Sequence, residues 1–238
     1  MQRIVSAGTP WQLIIAIGVM ILTNSCNKDN PVASDITETN LFPFAQGRIF
    51  VYSDYSLDTT TTQKIQSTVH REAWNVQGTT TFNGKTAFRV IDSVYLPTGG
   101  FSNLDTLYFA IEGDDLWVSV SDFGGSWVKI FQKSAGTNAE YTAGQFTTSD
   151  FGPTVTITAK VTIFPKEAVS ATIGTVQAYK VQLKLSATVN IVNIEEVTLL
   201  YIADGYGLVK LTRPVQVDQI TKRKEFGEEF LMVSKNFQ

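Results

Sequence analysis

From Leu41 onward the chain alternates apolar and polar residues with a period of two. Val155, Ile157, Ala159, Val161 and Ile163 are interleaved with Thr154, Thr156, Thr158, Lys160 and Thr162. Tyr179, Val181, Leu183, Leu185, Ala187 and Val189 are interleaved with Lys180, Gln182, Lys184, Ser186 and Thr188. Successive side chains of a strand point to opposite faces, so each run predicts a long strand with one dry and one wet face, as in an antiparallel sheet. Shorter strands are expected at residues 48–57, 65–76, 79–82, 85–95, 107–111, 116–120, 127–133, 197–203, 208–213 and 230–235. Turn chemistry agrees: Asn83-Gly84, Glu112-Gly113-Asp114-Asp115 and Asp204-Gly205-Tyr206-Gly207 each divide two such runs, and Asn-Gly suits the positive φ angles of a tight hairpin. No convincing amphipathic helix of ten residues intervenes. The expected fold is all-β: a strongly curved antiparallel meander sheet, half-open barrel or sandwich, of about ten to twelve strands.

The first forty residues follow a different pattern. Arg3 precedes an apolar run from Trp11 to Leu22, then Thr23-Asn24-Ser25-Cys26. The run is too short for the ~20 residues that span a hydrocarbon core, so it reads as the apolar stretch of a signal helix. Cys26 is the one cysteine of the chain. Its place after that stretch, with the polar residues 27–40 following at once, points to a lipidated N-terminus rather than a core thiol. The expected organisation is a lipoprotein signal peptide over residues 1–25, a flexible tether over 26–40 carrying the lipid on Cys26, and one β domain over 41–238. An ordinary secretory signal and an uncleaved anchor are the other readings of the leader. Two or three acyl chains would hold the protein stably in a bacterial envelope, whereas one would hold it marginally.

Three patches carry a family resemblance. Leu41-Phe42-Pro43-Phe44-Ala45-Gln46-Gly47, followed by Tyr52, resembles the opening of uncharacterised Bacteroidetes-type surface lipoproteins. Gly174-Thr175-Val176-Gln177-Ala178-Tyr179-Lys180-Val181 and Tyr201-Ile202-Ala203-Asp204-Gly205-Tyr206-Gly207-Leu208-Val209-Lys210 resemble later segments of the same family, in the same order. Ile49-Phe50 stands where that family tends to have Trp, and Ile173 where Pro is common. The resemblance implies a curved sheet similar to periplasmic lipoprotein carriers, an outer-membrane or surface location, and no assigned catalytic residues. Lys28-Asp29, just after Cys26, resembles the short charged tag that sends such proteins to the cell surface.

Charge and candidate chemistry narrow the function classes. Formal net charge is -3, and about -4 without Arg3, which leaves no electrostatic footprint for nucleic acid. His70 is the single histidine, and with Cys26 committed to lipid a zinc site of the usual Cys and His kind is not expected; neither is a cofactor. His70 could act as a base beside Ser67 or Ser93, but a surface or satisfied histidine is the blander reading. The carboxylate pairs Asp114-Asp115, Glu195-Glu196 and Glu228-Glu229 are adjacent in sequence, so in a strand each pair would split across the sheet. Nucleophile-elbow, phosphate-loop and dinucleotide motifs are absent from the sequence. Trp74, Trp117, Trp127 and Phe101 are the candidate ligand-binding residues, with a filled core as the alternative use of the same rings. The expected function is a non-enzymatic, lipid-anchored envelope protein binding an apolar or amphipathic ligand; a glycan- or protein-binding surface module is the alternative.

The leader reading is tested at Cys26. Labelled palmitate is expected to enter the protein, and Cys26→Ala to abolish both labelling and membrane retention. Unchanged retention of the variant overturns the anchor.

Overall fold

The computed structural model describes residues 40–96, 99–120, 124–148, 154–189, 192–217 and 223–237. The expected signal helix, Cys26 and nearly all of the tether lie outside the described residues. Fourteen strands follow one another: β1 (Ile49–Leu57), β2 (His70–Phe82), β3 (Lys85–Tyr95), β4 (Phe101–Glu112), β5 (Asp115–Ser119), β6 (Val128–Phe131), β7 (Glu140–Thr148), β8 (Val155–Ala171), β9 (Gly174–Val189), β10 (Val192–Ala203), β11 (Gly207–Arg213), β12 (Gln216–Val217), β13 (Lys224–Glu225) and β14 (Gly227–Lys235). Twelve form one sheet in the order β6-β5-β4-β3-β2-β1-β14-β11-β10-β9-β8-β7, and β12 and β13 make a separate ribbon. The fold is therefore all-β and antiparallel as expected, built of two meanders, β1–β6 and β7–β11. β14 pairs with β1 on one side and β11 on the other, and so joins them.

Consecutive strands β6 and β7 end at opposite edges of this sheet, yet strong curvature returns them to each other. The closest sign is Gly144 of β7: a Cβ built there would lie 2.8 Å from the Trp127 carbonyl oxygen and 3.5 Å from Val128 Cα, at the start of β6. No ladder joins β6 to β7 among the described residues. The sheet is a nearly closed barrel with one unbonded seam.

Its inner face holds the core. Alternation places Phe50 and Tyr52 of β1, Trp74 and Val76 of β2, Val90 of β3, Leu107 of β4, Val181 of β9 and Met232 of β14 in it, all buried. One end is plugged by residues 41–44, which form no strand. The Phe44 ring stacks on Phe109 at 4.7 Å and meets Phe50 at 5.8 Å, while Phe42 meets Phe131 of β6 at 5.2 Å. The segment is pinned by Arg48, whose guanidinium donates to the Pro43 carbonyl at 2.6 Å, and by Gly205, whose N–H donates to the Asn40 carbonyl at 2.9 Å. Gly207, at φ +76°, lets the Pro43 ring approach: a Cβ at Gly207 would meet Pro43 Cδ at 3.3 Å.

Three local departures from the pattern have physical causes. The strand expected from residue 65 begins at His70, because Thr68 Oγ1 donates to the Ile65 carbonyl and accepts the Ser56 N–H, fixing a short 3₁₀ turn over Gln66–Thr68. β7 was not expected, since its buried residues Ala143 and Phe146 are three apart: a bulge between Thr142 and Gly144 breaks the alternation. β8 outruns its expected end through an irregularity between Ile163 and Lys166, where Pro165 has no N–H to donate to the ladder.

Closure at the seam predicts a cost for any side chain at Gly144. Gly144→Ala is expected to destabilise the domain by ~1–3 kcal/mol in denaturant unfolding, as overpacking against backbone does. An unchanged midpoint would mean that β6 and β7 do not close on each other.

Candidate functional site

Two features share the interior. The first is an apolar cavity of about 60 Å³ behind the plug, lined by Phe42, Phe44, Trp74, Leu107, Leu183 and Leu208 among others. The second begins where Trp74 ends. Along β2 the inward positions run Val76, Trp74, Glu72, His70, so the face turns from apolar to charged within four residues. Cross-strand pairing then gathers partners that are far apart in sequence: Asp54 of β1 stands opposite His70, Asp92 of β3 opposite Trp74, and Asp105 of β4 opposite Asp92.

His70 Nε2 lies 2.9 Å from Glu72 Oε1 and 3.1 Å from Asp54 Oδ2. Neither Ser67 nor Ser93 is its partner; Ser93 donates instead to Asn103 at 2.9 Å. Asp54, Glu72 and Asp92 are 6%, 0% and 1% exposed, an unusual degree of burial for carboxylates. Burial, and then the nearby Glu228 carboxylate, push Asp54 up to about 7. Burial and then the charge of Glu72 push Asp92 up to about 8, with a hydrogen bond between the two acids acting the same way. Two ionised carboxylates cannot share a hydrogen bond, so Asp92 keeps its proton near neutrality. The hydrogen bond to Glu72, followed by the charge of Asp54, holds the His70 imidazolium up to about 9 against the cost of its own burial. Glu228 is raised by burial, which the Arg213 guanidinium at 2.8 Å opposes.

The sequence-expected ligand residues do not form one site. Trp74 is 6% exposed and lines the cavity. Trp117 faces outward, opposite Ala110, with Lys85 and Lys129 ammonium groups 4.0 Å and 4.6 Å from its ring centroid. Trp127 donates from its indole N–H to the Asn83 carbonyl at 3.1 Å and packs edge-on against Phe82, which stacks on Tyr108 at 3.8 Å. Phe101 is 57% exposed and packs against Tyr95. Of the adjacent carboxylate pairs, Asp114 and Asp115 meet Lys133 and Lys129 and Glu195 meets Lys184, whereas Glu229, only 8% exposed, bridges Lys64 and Lys210. Sequence reasoning missed Asp54, Glu72 and Asp92. The spacing of His70 and Glu72 put them on one face and could have flagged that pair; Asp54 and Asp92 arrive only through strand register.

Comparisons place the fold but not the chemistry. No protein-family model matches the chain, and no curated protein matches it significantly. Two solved structures share the architecture. One is a "putative lipoprotein" from Parabacteroides distasonis, with a TM-score of 0.52 and 11% identity over 84% of this chain and 100% of that one. The other is a "putative exported protein with YmcC-like fold" from Bacteroides fragilis, with a TM-score of 0.53 and 9% identity over 83% of this chain and 99% of that one. At such identities the likeness is one of fold.

The buried acids predict an inverted pH dependence. Asp54, Asp92 and His70 all hold protons more tightly folded than unfolded, so the folded state binds more protons between about pH 4 and 9 and stability falls as pH rises through that window. Above pH 5, Glu229, whose pKa is lowered, is ionised in both states and adds no slope. The melting temperature is expected to be higher at pH 5 than at pH 9, and Asp92→Asn, whose amide can still donate to Glu72, to flatten the difference. A rise in stability toward pH 9 would overturn the assignment.

Proposed function

We propose that this is an exported cell-envelope protein, anchored by lipid on Cys26 at the outer membrane, whose barrel-like sheet is a non-enzymatic binding domain for an apolar or amphipathic ligand. The signal-like leader, the three family patches and the descriptions of the two fold neighbours support the location. The observation that carries the binding reading is the cavity behind Phe42 and Phe44. At about 60 Å³ it is smaller than the roughly 150 Å³ that admits a benzene ring. An acyl chain would therefore enter only by displacing the plug or widening the unbonded seam.

One observation favours a second reading, a glycan-binding surface. Phe82, Tyr108 and Trp127 pack together, and Trp117, with the Lys85 and Lys129 ammonium groups over its ring, faces outward on the same sheet, where aromatic rings could stack on sugars. Native mass spectrometry of the protein purified from its own envelope separates the two. A retained lipid mass is expected, to be lost in Leu107→Trp, which fills the cavity, and kept in Trp117→Ala. No lipid mass, together with glycan binding that Trp117→Ala abolishes, would overturn the interior site.

A further inference from the structure

Three donor atoms from two strands converge at the charged end of the interior. His70 Nε2 is 2.9 Å from Glu72 Oε1 and 3.1 Å from Asp54 Oδ2, and one donor atom from each of the three residues lies within 4.8 Å of the others. We propose that Asp54, His70 and Glu72 form a binding site for a divalent transition-metal ion of the zinc type. Bonds of ~2.0–2.2 Å set tetrahedral donors about 3.4 Å apart, so the two measured separations would open by about half an ångström or less. The register Asp54 to His70, and the alternation from His70 to Glu72, fix the three on one face of rigid paired strands. A binding site held by strands is better positioned than one carried on loops.

The second observation is unspent binding capacity. Glu72 is fully buried and Asp54 is 6% exposed, yet Glu72 Oε2 and Asp54 Oδ1 receive no hydrogen bond. A buried carboxylate oxygen without a donor costs more than a satisfied one, and a cation bound to the group would lower that cost by neutralising its charge, or by taking up the second oxygen directly. Charge around the triad points the same way. Asp105 of β4 and Glu228 of β14 add acids, with Asp92 of β3 beside them in its protonated form, whereas Arg213 of β11 is already held by Glu228 at 2.8 Å, with Glu196 of β10 at 3.9 Å.

The donor set selects the ion. An imidazole with two carboxylates suits zinc and its neighbours, while calcium needs six to eight oxygens and magnesium a near-ideal octahedron. The His70 side chain, 42% exposed, supplies a way in from solvent and room for a water as fourth ligand. Binding would exchange the ring proton on Nε2 for the metal, the proton leaving to water. The apolar-ligand reading is not needed for any of this.

The test uses the untagged full-length chain in detergent, with Cys26→Ala to remove its one thiol, stripped by chelator and titrated with zinc sulfate. Zinc in tenfold molar excess is expected to raise the melting temperature by several degrees, with magnesium and calcium giving no rise. Glu72→Gln and His70→Ala are expected to weaken zinc at least tenfold. Because His70 is the sole histidine, its ring proton signals need no assignment, and cobalt should shift or broaden them in the parent chain even if a variant fails to fold. Unmoved histidine signals, a thermal response equal for zinc and magnesium, or undiminished zinc affinity in folded Glu72→Gln would each overturn the site.

Discussion

A curled sheet whose edge strands meet without a hydrogen-bonded ladder among the described residues must be held shut from within, and in this protein the segment before β1 does so. Phe42 touches Phe131 on β6, and Phe131 in turn meets Tyr179 on β9 at 6.1 Å, so an aromatic row runs from the plug past the seam to the strands beyond it. Phe44 fastens the other side through Phe50 and Phe109. Apolar burial is non-directional, which makes rings a suitable closure where backbone bonding is missing. The plug is itself fixed by polar contacts to the 203–207 turn, to which Lys235 Nζ also donates, reaching the Gly205 carbonyl at 2.7 Å. Closure, turn and C-terminal strand therefore depend on one another.

The same arrangement brings the 40–52 segment against the 203–208 turn. The Pro43 ring lies against Gly207, the Asn40 carbonyl accepts from Gly205 and the Tyr52 hydroxyl donates to the Leu208 carbonyl at 3.1 Å. Residues some 160 positions apart in sequence form one joint, and a change at either side would be felt by both. Filling one end with rings also sets the polarity of the rest. With the apolar positions of β1 and β2 spent near the plug, the far ends of the same strands carry Asp54, His70 and Glu72.

Much of the fold was legible because most strands bury one face. Where alternation is uninterrupted, as from Val155 to Ile163, sequence and strand agree; where a bulge intervenes, as at Thr142 and Gly144, the period fails and β7 went unseen. Order in the sheet was less legible. The meanders follow chain order, but the insertion of β14 between β1 and β11 is decided by packing that no local pattern records. The aromatics illustrate the same limit: Trp74 and Trp117 look alike in sequence, and only register sends one to the cavity and the other to the outer face. The acids at 54 and 92 were invisible for a simpler reason. Each sits alone in its strand, and acidic residues in strands usually face water.

That last expectation fails here at a stated cost. Carrying Asp54, Glu72 and Asp92 into the interior costs desolvation that one imidazolium and an already paired guanidinium offset only in part, and apolar residues of similar volume at these positions would be expected to fold at least as well. Burial alone therefore gives no reason to keep them. The cluster is also confined: it spans neighbouring strands at one end, stops at Trp74 and is reached from solvent past His70, whereas the surface acids Asp114, Glu140 and Glu195 pair singly with lysines. A group of acids that costs desolvation, is gathered by register and stays open on one side is therefore a candidate for binding rather than for bracing the fold.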